Sequence, residues 1–129
     1  MTTLKFILEE EGFREKPYLD TEGVTTFGHG LTYITKEESE KIVQQRVYDI
    51  IGKLTIQFNW FYRMTEIRRT VIVSMVYQLG FRGFSNFKKM IKALEEEDYD
   101  EASVEMLDSK WARQTPNRAK RQFSMMTEG

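Results

Sequence analysis

A chain of 129 residues, 40% hydrophobic and 13% aromatic, is long enough to bury one sizeable core, and without cysteine that core must hold by packing alone. A formal net charge of -1 argues against a module held to nucleic acid mainly by phosphate contacts, and one histidine without cysteine argues against a transition-metal site, so neither metal nor cofactor is expected. No apolar run is long enough to span a bilayer and no signal-peptide pattern opens the chain, so the expectation is a soluble protein made in the cytoplasm, with no stable membrane insertion.

In chain order, Leu4, Ile7 and Leu8 share one helix face, and Thr3 is placed to cap that helix. Glu11 continues the same stripe, so it is expected on the buried side, partly desolvated and able to keep its proton, while Glu9 and Glu10 face solvent. Gly12 is suited to end the helix. Lys16 to Asp20 reads as extended, Asp20-Thr21-Glu22-Gly23 has the composition of a type I turn, and Val24 to Phe27 returns as a second strand. Asp20 is thereby placed at an exposed turn, where it is expected to stay ionised. Two carboxyl groups in contrasting environments suit general acid and base work on an acetal. Glutamates at helix ends and aspartates at turns are mostly surface charges or caps, however, so this pair gains weight only from its neighbours.

Beyond the hairpin the pattern becomes helical. Thr35-Lys36-Glu37-Glu38 is a capping box, and Ile42, Val43, Val47, Ile50 and Ile51 form an apolar stripe, predicting a helix from about Lys36 to Ile51. Glu66 to Leu79 is apolar on most sides, as suits a central helix ended by Gly80. Shorter helices are predicted over Ser85 to Glu95, Tyr99 to Leu107 and Ser109 to Arg113, and a last one starts at Thr115-Pro116 with Thr as cap and Pro in the first turn. Residues 1–52 carry a net charge of -4 and residues 53–129 a net charge of +3, counts that suit a cleft between an acidic and a more basic lobe and are equally explained by an ordinary solvated surface.

The run EEEGFREKPYLDTEGVTTFGHG, with Glu11-Gly12, Tyr18 to Gly23 and Thr26 to Gly30 at kept spacing, resembles the phage-type lysozymes, glycoside hydrolase family 24. Further matches follow in the same order: Arg68-Arg69, Met75 to Gly80, Gly83 to Asn86, Asp100 to Ala102 and Trp111 to Arg121. The resemblance implies an α+β, mainly α, two-lobed fold in a single domain. Its lobes are a hairpin lobe of about 13–35, a connecting helix over 36–52, and a helical lobe of 53–129 plus 1–12.

The resemblance also implies a muramidase acting on the β-1,4 bond between N-acetylmuramic acid and N-acetylglucosamine in bacterial peptidoglycan. Glu11 would protonate the departing oxygen, Asp20 would activate a water, and Thr26, which the family frame selects over Thr25, would help to position it. Inversion of this kind needs the two carboxyl groups about 6.5 to 9.5 Å apart. Arg118 is implied as a partner of Glu11, and Arg121 as one of Glu10; both arginines equally suit a tie between the last helix and the hairpin lobe. Gly30, Leu31, Tyr77 and Gln78 are implied as substrate contacts, with core packing an equal alternative for Tyr77, and His29 lines the cleft. Trp111 is expected in the core.

Departures accompany the likeness. Leu31 stands where the family more often has histidine, and Phe87 and Glu105 stand at two substrate-contact positions that are Ser and Asn in the T-even branch. Between Leu31 and Thr35 over twenty residues of that branch are missing, which trims the hairpin lobe and opens the cleft. The implied setting is a monomeric phage endolysin, held in the host bacterial cytoplasm until a holin releases it to the wall. A lytic transglycosylase, which needs no Asp20 water, and a non-catalytic wall-binding or virion protein are the alternatives.

Overall fold

Among the described residues, five of the seven α-helices start at a side-chain cap. The computed structural model describes residues 2–129. Helix α1 (Thr3–Glu11) is capped by Thr2, whose hydroxyl accepts from the Lys5 N–H at 3.1 Å. The cap is thus one residue earlier than Thr3, which is itself the first helical residue. Gly12 stops the helix at φ 64°, its N–H returning to the Leu8 carbonyl.

Strand β1 (Arg14–Leu19) pairs antiparallel with β2 (Thr25–Gly28), with Leu19 opposite Thr25, Tyr18 opposite Thr26 and Arg14 opposite Gly28. The register slips between Arg14 and Tyr18. Pro17 lies in that stretch and has no N–H to give a ladder, which accounts for an irregularity there. Among the described residues the sheet has only these two strands.

Helix α2 (Lys36–Gln57) opens with the expected reciprocal box: the Glu38 N–H donates to Thr35 Oγ1 and the Thr35 N–H donates to Glu38 Oε1, both at 3.1 Å. It runs six residues past the predicted end at Ile51, because nothing in Gly52-Lys53-Leu54-Thr55-Ile56-Gln57 removes a donor, and Leu54 is fully buried. A single 3₁₀ turn (Phe61–Arg63) leads to α3 (Glu66–Ser85), capped by Thr65. Gly80 breaks α3 with φ 76° and ψ 163°, as expected of a helix end, but helical turns resume beyond it to Ser85. Ser85 therefore closes α3, and the next helix, α4 (Lys88–Glu95), starts three residues after the predicted boundary.

Helix α5 (Tyr99–Leu107) matches its predicted span and is capped by Asp98. Helix α6 (Lys110–Gln114) is capped by Ser109, which accepts from the Ala112 N–H. In α7 (Pro116–Glu128) proline occupies the first turn as expected, but Thr115 does not cap it. The Thr115 hydroxyl instead donates back to the Trp111 carbonyl at 2.9 Å, serving the end of α6 rather than the start of α7.

The chain divides into two compact units, Met1–Val43 and Gln44–Gly129. The second unit holds the hydrophobic core. Leu54, Phe61, Ile72, Met75, Phe84, Met90, Leu94, Met106 and Met126 are all buried to within 1% exposure. Phe58 stacks on Trp60 at 4.8 Å and meets Phe84 edge-on at 6.3 Å. The end of α7 is fastened by Arg68, whose guanidinium donates to the carbonyls of Met126 and Thr127 and lies 3.9 Å over the Tyr99 ring.

Candidate active site

In the first unit, α1 delivers Glu11 as its last residue. Leu4, Ile7 and Leu8 are exposed within that unit, and so is Glu11, which corrects the expectation that the stripe carries the carboxyl into a buried position. What holds Glu11 is a contact, not burial. Its carboxyl group lies against the backbone of Gly30, in the loop after β2.

That loop is tightly closed. Phe27 and Leu31 exchange two backbone hydrogen bonds of 2.8 Å each, and the chain between them turns through Gly28 at φ 57° and Gly30 at φ 71°. His29 sits between these glycines with its ring 5.2 Å from that of Phe13, the second residue after Glu11. Among the described residues no group of three or more His, Asp or Glu side chains is arranged to hold a metal ion.

Asp20 opens the hairpin turn as predicted: the Gly23 N–H donates to its carbonyl at 3.0 Å, and its own N–H donates to the Val24 carbonyl at 2.9 Å. The side chain folds over the turn, Oδ1 accepting from the N–H groups of Glu22 at 2.9 Å and Val24 at 2.8 Å. Asp20 is half-buried rather than fully exposed. Both bonds engage one oxygen, and Oδ2 accepts none among the described residues, leaving it to meet solvent or a ligand.

Alternation along β2 separates the two neighbouring threonines. Thr26 is buried at 4% exposure while Thr25 is exposed, so the strand itself favours Thr26 as the inward-facing hydroxyl. Thr26 donates to the Val24 carbonyl at 3.0 Å, which leaves its oxygen as an acceptor. Val24 thus ties the candidate base and the candidate threonine to one residue. Glu10 is exposed on α1, and Leu31 is exposed at the closing pair of the loop.

In the second unit Tyr77 and Gln78 lie side by side on α3 ahead of the Gly80 break. Tyr77 is 46% exposed, so the core alternative does not describe it within its unit. Gln78 accepts from Trp111 Nε1 at 2.8 Å, which orients the amide and leaves its NH₂ group to donate elsewhere. Trp111 is buried at 4% exposure, as expected. This bond joins residues 33 apart, and no local pattern signals it. Arg118 and Arg121 are exposed one helical turn apart on α7.

Phe87 and Glu105 are the two departures from the likeness on the helical part of the chain. The structure brings them together on one cavity of about 670 Å³, bounded by the end of α3 and by α4, α5 and α6, with Trp111 in its wall. Lys88, Lys89 and Lys110 set positive charge around it against Glu105 and Asp108.

The family model described as Phage lysozyme matches residues 8–124, a span that includes the candidate site residues from Glu10 to Arg121. The chain belongs to the phage lysozyme family. It is 33% identical over 101 residues to "Probable T4-type lysozyme 1" of Dictyostelium discoideum, an alignment covering 74% of this chain and 58% of that protein. It is 39% identical over 62 residues to "Probable T4-type lysozyme 2" of the same organism, covering 48% of this chain and 36% of that one. The chain thus spans little more than half the length of the first of these curated relatives and about a third of the second. The α+β, mainly helical architecture with one small antiparallel hairpin is that of the lysozyme-like fold expected of such a family member.

Proposed function

We propose that this chain is a muramidase that hydrolyses the β-1,4 bond between N-acetylmuramic acid and N-acetylglucosamine in bacterial peptidoglycan. The observation that carries this reading is the first unit's arrangement: a glutamate held at a closed glycine loop, an aspartate with one free oxygen at a hairpin turn, and a buried threonine hydroxyl tied to that same turn. Membership of the phage lysozyme family supports it.

In this mechanism Glu11 gives its proton to the departing glycosidic oxygen as the bond to the anomeric carbon breaks. Asp20 takes a proton from a water that attacks the opposite face of the ring, through the oxygen the turn leaves free. Thr26, already donating to Val24, receives the second hydrogen of that water and aims its lone pair. The water's oxygen becomes the new hydroxyl of the reducing end, and the cycle closes as Asp20 releases its proton to solvent and Glu11 regains one from it. Since Glu11 is exposed within its unit, water must be displaced from it by the bound glycan itself. Arg118 is assigned as the supporting cation of the acid, as in the family. Tyr77 and Gln78 are assigned to grip the saccharide.

The proposed setting is a monomeric endolysin that waits in the host bacterial cytoplasm and reaches the wall through a holin lesion. Mass analysis of fragments released from purified peptidoglycan tests the chemistry. Wild type is expected to release fragments with free reducing ends, and Glu11→Gln to lower the rate at least about 100-fold. Asp20→Asn is expected to fall comparably. Anhydro-sugar ends would make the protein a lytic transglycosylase, and binding without any released fragment would make it a non-catalytic wall-binding protein.

A further inference from the structure

We propose that Gly30 is a positioning residue for Glu11: by having no side chain, it leaves room for the carboxyl group to lie against the loop after β2. The inference rests on the reading of Glu11 as the acid of the reaction, and adds the element that aims it.

A Cβ built on Gly30 falls 2.8 Å from Glu11 Cδ and 3.2 Å from Cγ, and overlaps Oε2 outright. The other glycines of the first unit set no such condition. Gly12 and Gly23 also have positive φ, yet a Cβ there meets nothing within 4 Å, and one on Gly28 makes only ordinary contact with Leu31 at 3.4 Å. Positive φ therefore explains a glycine at all four positions, whereas the overlap with a carboxyl group singles out Gly30 among them.

Which partner yields when a methyl is added follows from the restraints on each. The loop is closed by the paired hydrogen bonds between Phe27 and Leu31 and braced by the His29–Phe13 ring contact. Glu11 is an exposed side chain at the end of a helix, with three rotatable bonds. The loop holds and the carboxyl swings away. Stability then pays little beyond the ordinary cost of a side chain at positive φ, while the acid leaves its place over the loop. A displacement of about 1 Å in a catalytic group costs on the order of 100-fold in rate.

Gly30→Ala is accordingly expected to lower kcat about 100-fold with KM within about 3-fold of wild type, while the folded protein remains the dominant species by thermal unfolding. Gly30→Asn provides a second variant, because asparagine adopts positive φ more readily than alanine and keeps the fold if Ala does not. Two readouts separate positioning from mere structural support. The ¹³Cδ resonance of Glu11 should shift in either variant. In a Glu11→Asp background, where the carboxyl is drawn back by one carbon, the same Gly30 substitution should cost only a few-fold. An unchanged kcat, an unmoved Glu11 resonance, or an equal cost in both backgrounds would overturn the inference. Full activity of Glu11→Gln would instead overturn the reaction reading on which it rests, so the two failures are distinguishable.

Discussion

Two glutamates whose carboxyl groups depart from the ordinary value of 4.5 show how strongly a single neighbour acts on an exposed side chain. Glu38 is held below that value by the Thr35 hydroxyl first and the Thr35 backbone N–H second, both of which bind the charged form. Such a group contributes stability above the unfolded value, and the contribution is lost as pH falls through the lower folded value. Thr35→Ala is expected to return the Glu38 titration toward 4.5, read by carboxyl ¹³C NMR, and to fray the first turn of α2. Glu101 is displaced upward, chiefly by a hydrogen bond with Glu105, then by desolvation and by the charges of Glu105 and Asp98, with Lys89 opposing. The sign reverses here: its contribution is present below the unfolded value and is lost as pH rises through the folded one. Glu105→Gln should therefore raise the thermal midpoint at pH 7 and leave it nearly unchanged at pH 3, as measured by thermal unfolding at the two pH values. Glu38 was legible in the sequence because Thr-x-x-Glu is a local signal. The Glu101–Glu105 pair shares a helix face by spacing alone, whereas the smaller contributions of Asp98 and Lys89 come from outside that spacing.

Helices were legible where they carry their own start and stop signals, and less so where a neighbour sets the end. Helix α5 keeps its predicted span, and its start carries a local signal in the Asp98 side chain, which accepts from the Glu101 N–H. Helix α2 outran its predicted end because Leu54 finds a place in the core, and a buried leucine outweighs the weak helix propensity of Gly52. Thr115 illustrates the opposite case: the Thr-Pro signal located the junction, yet the hydroxyl donates backward to the Trp111 carbonyl, four residues earlier, and serves the end of α6. At this scale the fastening of α7 gives a measurable consequence. Arg68 donates to two carbonyls in the last turn and lies over the Tyr99 ring, so Arg68→Ala should cost roughly 2 to 3 kcal/mol. Urea unfolding measures the total, and amide exchange should locate the loss in α7 and at the start of α5.

Across the whole molecule, burial is distributed unequally. Every side chain of the hydrophobic core belongs to the second unit, whereas Thr26 is the buried residue of the first among those described. Phe84 lies at full burial within that core, so Phe84→Ala should cost about 3 to 5 kcal/mol in denaturant unfolding. Amides of α4 and α5 should also exchange more slowly than those of the β1–β2 hairpin, because hairpin opening exposes little apolar surface that is not already exposed. The sequence by itself determined the family, the order of the elements and the turn at Asp20, since each is written in short motifs along the chain. Tertiary structure alone decided that Glu11 is held by contact and not by burial, that Gln78 is oriented by Trp111, and that Phe87 and Glu105 share one cavity. Those facts depend on where distant segments cross, and an apolar stripe such as Leu4, Ile7 and Leu8 states only that a helix has a face, not what that face meets.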